Sequence, residues 1–406
     1  MSGTTIDPLG VSKEITDSYR RYLKTSFSFQ DPQRQSELEH ALLADQALAN
    51  GPILQATAPY ATGRSLAELI DEGVVSSELR RMKPEDFPIE RPLYKHQEEA
   101  IRKLVGNRNL MVATGTGSGK TECFLLPAIH RLLAEKEAGT LGDPGIRVLL
   151  LYPMNALAND QLKRLRELLR AFPEITFGRY VGDTKPGTKK ATDHHRAVFG
   201  EEPLPNELVA REQMQANPPH ILITNFAMLE YLLLRPADTA FFDGPTGKHW
   251  KMVVLDEVHV YDGAKGAELG MLLRRVRGRV HKGTQGQLQV VGTSATLGQG
   301  SEAVPELAKF GNKLFDEPFA PSDADPFGCD VVEPTRQELV GVERWTLPQH
   351  LIGELATCWR DGGKVTHLAE IVAAGQPPEQ PGATDTVGSY LHRVPPFGTA
   401  RRCAPT

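Results

Sequence analysis

A glycine-rich stretch carries the strongest chemical signal in the sequence. It runs from Ala113 to Thr121 as Ala-Thr-Gly-Thr-Gly-Ser-Gly-Lys-Thr, between an apolar run and the start of a helical pattern. Glycines let the backbone curl until successive N–H groups point at a phosphate, a lysine neutralises phosphate charge, and a threonine hydroxyl can ligate Mg²⁺. We therefore predict a phosphate-binding loop rather than a glycine-rich turn that binds nothing. The predicted nucleotide contacts are Thr114, Gly115, Thr116, Gly117, Ser118, Gly119, Lys120 and Thr121, with Lys120 also catalytic and Thr121 also a magnesium ligand.

An acidic pair is the second signal. Asp256 and Glu257 follow the apolar run 252–255 directly and open the segment Asp-Glu-Val-His, which ends at His259. Taken alone, two acids after a strand favour a solvated turn. Following a phosphate-binding loop in this order, they match the need for a second Mg²⁺ anchor and a group that activates water. We predict that Asp256 holds the metal through water and that Glu257 is the general base.

Apolar runs of four or five residues precede these segments, and they must position them. The runs are rich in Val, Ile and Leu and span residues 110–113, 148–151, 221–224, 252–255 and 288–292. They alternate with amphipathic stretches such as 156–169 and 264–276. Strands buried on both faces have this composition, and alternation with helices predicts an α/β domain with a parallel sheet flanked by helices. Functional residues should then gather at the carboxyl ends of the strands.

The pattern divides the chain into three parts. Residues 1–88 mix charged and apolar residues at helical spacing and are predicted to form a helical accessory region. The α/β pattern occupies residues 89–300. Residues 301–406 are predicted to be a partial helical and loop-rich segment, which we expect to stop short of a second α/β lobe.

The bulk composition excludes few functions, but it makes some kinds of site and some cellular locations less favoured than others. The chain has 406 residues, of which 40% are apolar and 24% charged, in the ordinary globular range. A net charge of -5 does not favour a dedicated electrostatic nucleic-acid binder, although backbone N–H groups can also hold phosphates. Four cysteines without metal-ligand spacing suggest no metal centre, and the absence of a leader or long apolar run favours a soluble cytoplasmic protein.

Two weaker features favour structural interpretations. The pair His194-His195 has no partner at ligand spacing, so a surface loop is preferred over a metal site. Arg274, Arg275, Arg277 and Arg279 fit a solvated helix face near a favourable C-terminus at least as well as a nucleic-acid contact.

Six ordered segments resemble motifs of superfamily 2 helicases of the DEAD/DEAH type. They comprise residues 93–97, 113–121, 152–161, 224–231, 256–259 and 293–296, matching motifs Q, I, Ia, Ib, II and III. The wording of residues 152–161 and 224–236 is similar to the large Lhr-like bacterial helicases. The resemblance implies that residues 89–300 form a RecA-like P-loop lobe that uses ATP and Mg²⁺.

The resemblance also implies roles for individual residues. Gln97 would read the adenine edge with two hydrogen bonds, and Tyr94 would either join the base pocket or be a buried core tyrosine. Ser294 and Thr296 would couple nucleotide state to strand binding by hydrogen-bonding toward His259, a catalytic residue, and Asp256. Residues gripping the sugar-phosphate backbone of DNA or RNA would be Pro153, Asn155, Asn159, Gln161, Thr224 and Asn225.

The sequence departs from the family after Thr296. No Gln-x-x-Gly-Arg-x-x-Arg segment follows, whereas superfamily 2 motors take an arginine finger from a second lobe. We therefore expect an ATP-dependent helicase or translocase lobe that unwinds little alone. Three explanations of the missing lobe stay open: the gene is truncated, the chain is a fragment, or a second polypeptide supplies the lobe. Alternatives are a non-catalytic regulatory module that binds ATP and nucleic acid, and a P-loop ATPase unrelated to nucleic acids.

Overall fold

The computed structural model describes residues 8–43, 48, 59–115, 117–295, 303–322, 328–337 and 354. The chain divides into two compact units, one of residues 60–335 and one of residues 1–59 with 336–406. In the described part of the latter, helices α1 (Pro8–Ser26) and α2 (Pro32–Leu43) contact each other through an ion pair of Lys24 with Glu39 at 3.3 Å.

The 60–335 unit holds the other regular elements of the described residues. Its helices are α3 (Leu66–Asp71), α4 (Lys95–Val105), α5 (Lys120–Glu137), α6 (Asn155–Leu169), α7 (Thr188–Phe199), α8 (Arg211–Ala216), α9 (Phe226–Leu234), α10 (Gly244–Gly247), α11 (Gly263–His281) and α12 (Ala303–Phe315). Its strands are β1 (Thr62–Ser65), β2 (Pro92–Tyr94), β3 (Leu110–Ala113), β4 (Val148–Tyr152), β5 (Phe177–Arg179), β6 (Glu207–Leu208), β7 (Ile221–Asn225), β8 (Met252–Leu255), β9 (Gln289–Ser294) and β10 (Val331–Val332). Short 3-10 helices span Ser77–Arg81, Pro236–Phe241 and Val258–Val260.

Among the described residues, eight strands form one sheet in the order β10-β3-β9-β8-β4-β7-β5-β6, and every pairing in it is parallel. Alternate residues of β4 serve two cores: Val148 and Leu150 pack with one cluster, Leu149 and Leu151 with the other. Both faces of the sheet are therefore covered, which is why these runs are continuously apolar. The predicted α/β class with a parallel sheet is confirmed, and so is the presence of N-terminal helices.

The five predicted strands are all present, and β3 and β8 have the predicted bounds. Three strands of the same sheet were not predicted: β5, β6 and β10. They are only two or three residues long, so their composition gives too little apolar pattern to distinguish them from loops. The compact unit also extends beyond the predicted limits of 89 and 300, because it includes α3 before them and α12 and β10 after them.

None of the described helices is long and apolar enough to cross a membrane.

Candidate nucleotide site and the neighbouring strand ends

The glycine-rich loop connects the end of β3 to the start of α5. Gly117 and Gly119 both have φ of 74°, the left-handed region that glycine adopts without steric cost. Ser118 is fully buried and donates its hydroxyl to Thr114 Oγ1 at 2.7 Å, which braces the loop internally. Thr116 lies outside the described residues. The turn delivers Lys120 and Thr121 to the first turn of α5, where free backbone N–H groups favour an anion.

Gln97 contacts this loop directly. Its Nε2 donates to the Gly119 carbonyl at 3.0 Å, and its Oε1 accepts from the Tyr94 N–H at 2.9 Å. The buried amide thus uses one N–H donor and one oxygen lone pair in hydrogen bonds within the protein. One N–H donor and one lone pair remain available. A Cβ added at Gly119 would stand 2.2 Å from Gln97 Nε2, so a larger residue there would displace the Gln97 amide in addition to straining φ.

An aromatic group lies beside the loop. The Tyr94 ring stacks on His96 with centroids 5.5 Å apart, and Tyr60 meets both rings edge-on at 5.3 Å. His96 is buried and its Nε2 lies 2.9 Å from the Ser118 carbonyl; burial lowers the pKa of this imidazole. Tyr60 was missed at the sequence level, because no motif residue surrounds it; it lies two residues before β1, whose Thr62 pairs with Tyr94 of β2.

The acidic pair meets the loop lysine. Lys120 Nζ lies 3.0 Å from Glu257 Oε1, and both side chains are largely buried. His259 Nδ1 lies 3.2 Å from the second oxygen of Glu257 and 3.1 Å from Ser294 Oγ. Glu257 itself has φ of 53°, a left-handed conformation that is costly for a residue with a Cβ. The predicted residues Lys120, Glu257, His259 and Ser294 therefore converge in one place.

Asp256 is more deeply buried than Glu257 and has a different partner. The Thr293 hydroxyl donates to Asp256 Oδ1, and the Glu257 N–H reaches the same hydroxyl at 3.3 Å. Burial raises the pKa of Asp256, and the Thr293 hydrogen bond opposes that shift. The contact predicted for Thr296 is made here by Thr293, whereas Thr296 lies outside the described residues. Since β9 lies between β3 and β8, its end adjoins both motifs.

Two buried tyrosines beside Asp256 were not predicted as site residues. The hydroxyls of Tyr152 and Tyr261 have no hydrogen-bond partner among the described residues. Burial raises the pKa of both phenols, that of Tyr261 to about 12, and the charge of Asp256 adds to each shift. Nothing in the sequence distinguishes them from core aromatics.

The residues predicted to line a nucleic-acid track divide into two groups. Asn155 and Asn225 lie together at the ends of the adjacent strands β4 and β7, with Asn225 Nδ2 donating to Asn155 Oδ1 at 2.7 Å. Pro153 and Asn159, which are close to Asn155 in sequence, are half-buried. Asn159 Oδ1 has no hydrogen-bond partner among the described residues.

Thr224 and Gln161 are placed differently. Thr224 is fully buried and donates to the Tyr180 carbonyl at 2.6 Å, so its side chain supports the sheet rather than facing outward. Gln161 Oε1 accepts from the Thr121 hydroxyl at 3.1 Å, which places it against the phosphate-binding loop.

Two other expectations need correction. His195 lies on α7, not in a surface loop, and is buried between Arg166 and Glu207 with ring contacts of 2.7 and 3.0 Å. The pattern gave no sign of this burial because charged side chains, not apolar ones, hold the His195 ring nitrogen. Arg277 is buried in ion pairs with Asp316 and Glu317 rather than solvated. In the part of the chain that the structure describes, no cluster of three or more His, Cys, Asp or Glu side chains could hold a metal.

The residues fit a magnesium nucleotide. Mg²⁺ is commonly held by one or two protein oxygens with waters and substrate phosphates. Thr121 offers a hydroxyl oxygen, and Asp256 a buried carboxylate whose ionised form a cation would stabilise.

A glycine-rich loop opening a helix, faced by an acidic pair at the end of a parallel strand two places along the same sheet, defines a RecA-like P-loop lobe. The chain belongs to the DEAD/DEAH box helicase family, whose model matches residues 94–304.

Comparison with individual proteins agrees. The chain is 29% identical over 375 residues to Druantia protein DruE of Escherichia coli, covering 70% of this chain and 20% of that protein. It is 30% identical over 202 residues to the ATP-dependent helicase Lhr-Core of Methanothermobacter thermautotrophicus, covering 50% and 21%. The resemblance to Lhr-like helicases is confirmed.

Among solved structures, the DUF1998 helicase MrfA bound to DNA and AMPPNP shares the fold, with a TM-score of 0.50 and 19% identity over 80% of this chain and 42% of that one. The chain spans 20% to 30% of the length of the first curated relatives that it matches.

Proposed function

We propose that this chain is the ATP-binding lobe of an ATP-dependent nucleic-acid helicase or translocase. The observation that carries the proposal is the 3.0 Å contact between Lys120 and Glu257. It brings the phosphate-binding loop and the acidic pair, far apart in sequence, into one pocket. In that pocket the loop amides and Lys120 hold the β- and γ-phosphates of ATP.

Each carboxylate then has its own task. Lys120 exchanges Glu257 for phosphate, which leaves the Glu257 carboxylate available to accept a proton from the attacking water. His259 and the strained backbone of Glu257 fix the direction in which this carboxylate points. Asp256 and Thr121 hold Mg²⁺, which when bound neutralises the charge of the phosphates. Ser294, on β9, contacts His259 and is thereby linked to the Glu257 carboxylate.

Nucleic acid binds at the ends of β4 and β7 in this proposal. Asn155 and Asn225 offer amide groups there, and α6 begins at Asn155 while α9 begins directly after Asn225. Amide donors and helix N-termini grip phosphates without reading bases, which suits a motor that must pass over any sequence. MrfA, a protein of the same fold, was solved with DNA and AMPPNP bound.

Fast hydrolysis and unwinding need the contribution of a second lobe. An arginine finger contributes about 10³–10⁵ in rate in related phosphoryl-transfer systems. The lobe alone is therefore expected to bind ATP and single strands and to hydrolyse ATP slowly. The regulatory-module alternative instead predicts that Glu257→Gln leaves the biological effect unchanged.

Binding of labelled single-stranded DNA and RNA to the purified chain, with and without ATP, tests the proposal. Asn225→Asp keeps the oxygen that caps α9 by accepting from Met228 at 2.8 Å, but it removes the amide donor and adds a charge that repels phosphate. We expect affinity to fall by about three- to tenfold, the loss of one hydrogen bond. Asn217→Ala is the matched control, since this exposed residue lies just before the start of β7, whereas Asn225 lies at its end.

ATPase rates, measured with and without nucleic acid and with candidate partner polypeptides, complete the experiment. Stimulation by a strand in at least one combination is expected. No strand binding, or binding that Asn225→Asp and Asn217→Ala change equally, would contradict the nucleic-acid part of the proposal.

A further inference from the structure

Gln161 lies where the nucleic-acid interpretation does not need it. It is on the second turn of α6, and its Oε1 accepts a hydrogen bond of 3.1 Å from the Thr121 hydroxyl. Both side chains are half-buried. Thr121 is the residue whose hydroxyl oxygen ligates Mg²⁺ in the proposed function.

A threonine hydroxyl has one proton and two lone pairs, and it ligates a metal only through a lone pair. Its proton must therefore point away from the metal, and a partner that accepts this proton fixes the rotor. Threonine near a helix start has an alternative, because its hydroxyl can also turn toward a carbonyl three or four residues back. The Gln161 oxygen removes that freedom, since it holds the proton on the side of α6.

A second link makes the placement of Gln161 firm. One turn further along α6, Arg164 contacts Glu122, the residue after Thr121, with its Nη2 at 3.0 Å and its Nε at 3.2 Å. Arg164 also donates to the Asp86 carbonyl at 3.2 Å. The start of α5 is thus tied to the second and third turns of α6 by two successive side-chain contacts, of which only the first touches the hydroxyl.

We propose that Gln161 is a positioning residue for the magnesium site, orienting the Thr121 hydroxyl by accepting its proton. The inference rests on the proposed function, because it needs Thr121 to be a metal ligand. It also gives α6, which begins with Asn155 at the strand ends, a direct link to the metal ligand. Outer partners of metal ligands act in this way when they fix the orientation of the ligating atom.

Calorimetric titration of the full chain with ATP, once with MgCl₂ and once with EDTA, separates this role from general packing. Gln161→Met keeps the length of the side chain but has no amide oxygen. Gln161→Glu keeps an acceptor and can only accept. Arg164→Met is the matched control, because it breaks the neighbouring contact on the same helix without touching the hydroxyl.

Mg²⁺ is expected to strengthen ATP binding by the wild-type chain. In Gln161→Met this strengthening should fall by about tenfold, the usual order of loss for an outer partner of a metal ligand. Affinity in EDTA should stay within about twofold of wild type, which also shows that the variant is folded. Gln161→Glu and Arg164→Met should keep the magnesium effect.

Three results overturn the inference. An unchanged magnesium effect in Gln161→Met, beside a wild type that shows one, overturns it alone and leaves the proposed function standing. An equal loss in Arg164→Met does the same, since it assigns the effect to the contact between the helices. A wild-type chain that binds ATP in neither condition overturns the proposed function and this inference with it.

Discussion

Two neighbouring carboxylates in the pocket differ because their surroundings differ. Asp256 is buried against the Thr293 hydroxyl, whereas Glu257 turns through a left-handed conformation toward Lys120 and His259. A left-handed residue with a Cβ costs roughly 1–2 kcal/mol. The ion pair with Lys120 and the hydrogen bond from the Glu257 N–H to Thr293 offset part of that cost. Strain of this kind is a common feature of sites that aim a side chain at a reacting group.

Thr293→Val should destabilise the lobe. It removes the hydroxyl that donates to Asp256 and accepts from the Glu257 N–H, so it leaves a buried carboxylate without its partner. We expect the free energy of unfolding in urea to fall by about 1–3 kcal/mol. Thr293→Ser keeps the hydroxyl and should lose less than half as much. Equal losses in the two variants would contradict the role given to the hydroxyl.

Comparing Gly119→Ala with Gly117→Ala separates two reasons for glycine in the loop, the left-handed backbone conformation and the close approach of Gln97. Both glycines have φ of 74°, so each alanine carries the left-handed cost of roughly 1–2 kcal/mol. Only at Gly119 would the new Cβ also meet Gln97, at 2.2 Å, whereas no described residue beyond its chain neighbours lies within 4 Å of a Cβ at Gly117. Urea unfolding should therefore show a larger loss for Gly119→Ala. Equal losses would mean that Gln97 moves aside at no cost.

Sequence reasoning singled out residues by their chemical type and missed those that only their position brings to the pocket. Lys120, Asp256 and Glu257 could be predicted because their residue types are demanded by phosphate and magnesium. Thr293 lies within a motif but has no role predicted from the sequence, since its contact with Asp256 depends on β9 lying beside β8. The sequence places Gln161 in the nucleic-acid track. Its contact with Thr121 depends on how α5 and α6 meet, which a single sequence does not show.

At the scale of elements, the central strands were predictable and the edges were not. Runs such as 148–151 and 252–255 are apolar throughout because helices cover both faces of the sheet. The last two strands at one side of the sheet, β5 and β6, are short and include Gly178 and Glu207, so hydrogen bonding with neighbours defines them rather than composition. The order of the strands, which places β9 between motifs I and II, has no signal in a single sequence.

A histidine at the start of β7 makes the junction with β5 sensitive to pH. His220 Nδ1 accepts from the Thr176 N–H at 3.1 Å, and the His220 N–H donates to the Thr176 hydroxyl at 3.1 Å. Burial, with a smaller contribution from Arg147, lowers the pKa of His220 to about 4. Between pH 6.5 and 4 the unfolded chain binds the proton and the folded chain does not, so stability falls as the pH falls.

The size of this effect can be measured. The shift corresponds to a loss on the order of 3 kcal/mol across that window, with no contribution above pH 6.5. His220→Asn keeps an acceptor for the Thr176 N–H but does not titrate. Urea unfolding at pH 7.5, 5.5 and 4.5 should therefore give a shallower decline for His220→Asn than for wild type. Parallel declines would show that other groups cause the acid sensitivity.

At the scale of the whole molecule, one parallel sheet brings three chemical segments to a single edge. The ends of β3, β8 and β9 lie side by side, and they deliver the phosphate-binding loop, the acidic pair and Thr293 with Ser294. The ends of β4 and β7 next to them carry Asn155 and Asn225. A nucleotide pocket and a candidate strand-binding surface therefore share one rigid scaffold, which is the arrangement a motor lobe needs.

Binding of ATP with Mg²⁺ to three forms of the purified chain tests the central claim most directly. Wild type should bind, and Lys120→Ala should lose most of the affinity because it removes the charge that meets the phosphates. Glu257→Gln should bind at least as tightly as wild type, since the carboxylate that competes for Lys120 is gone. A wild type that binds no ATP, or a Lys120→Ala chain that binds as well as wild type, would contradict the account.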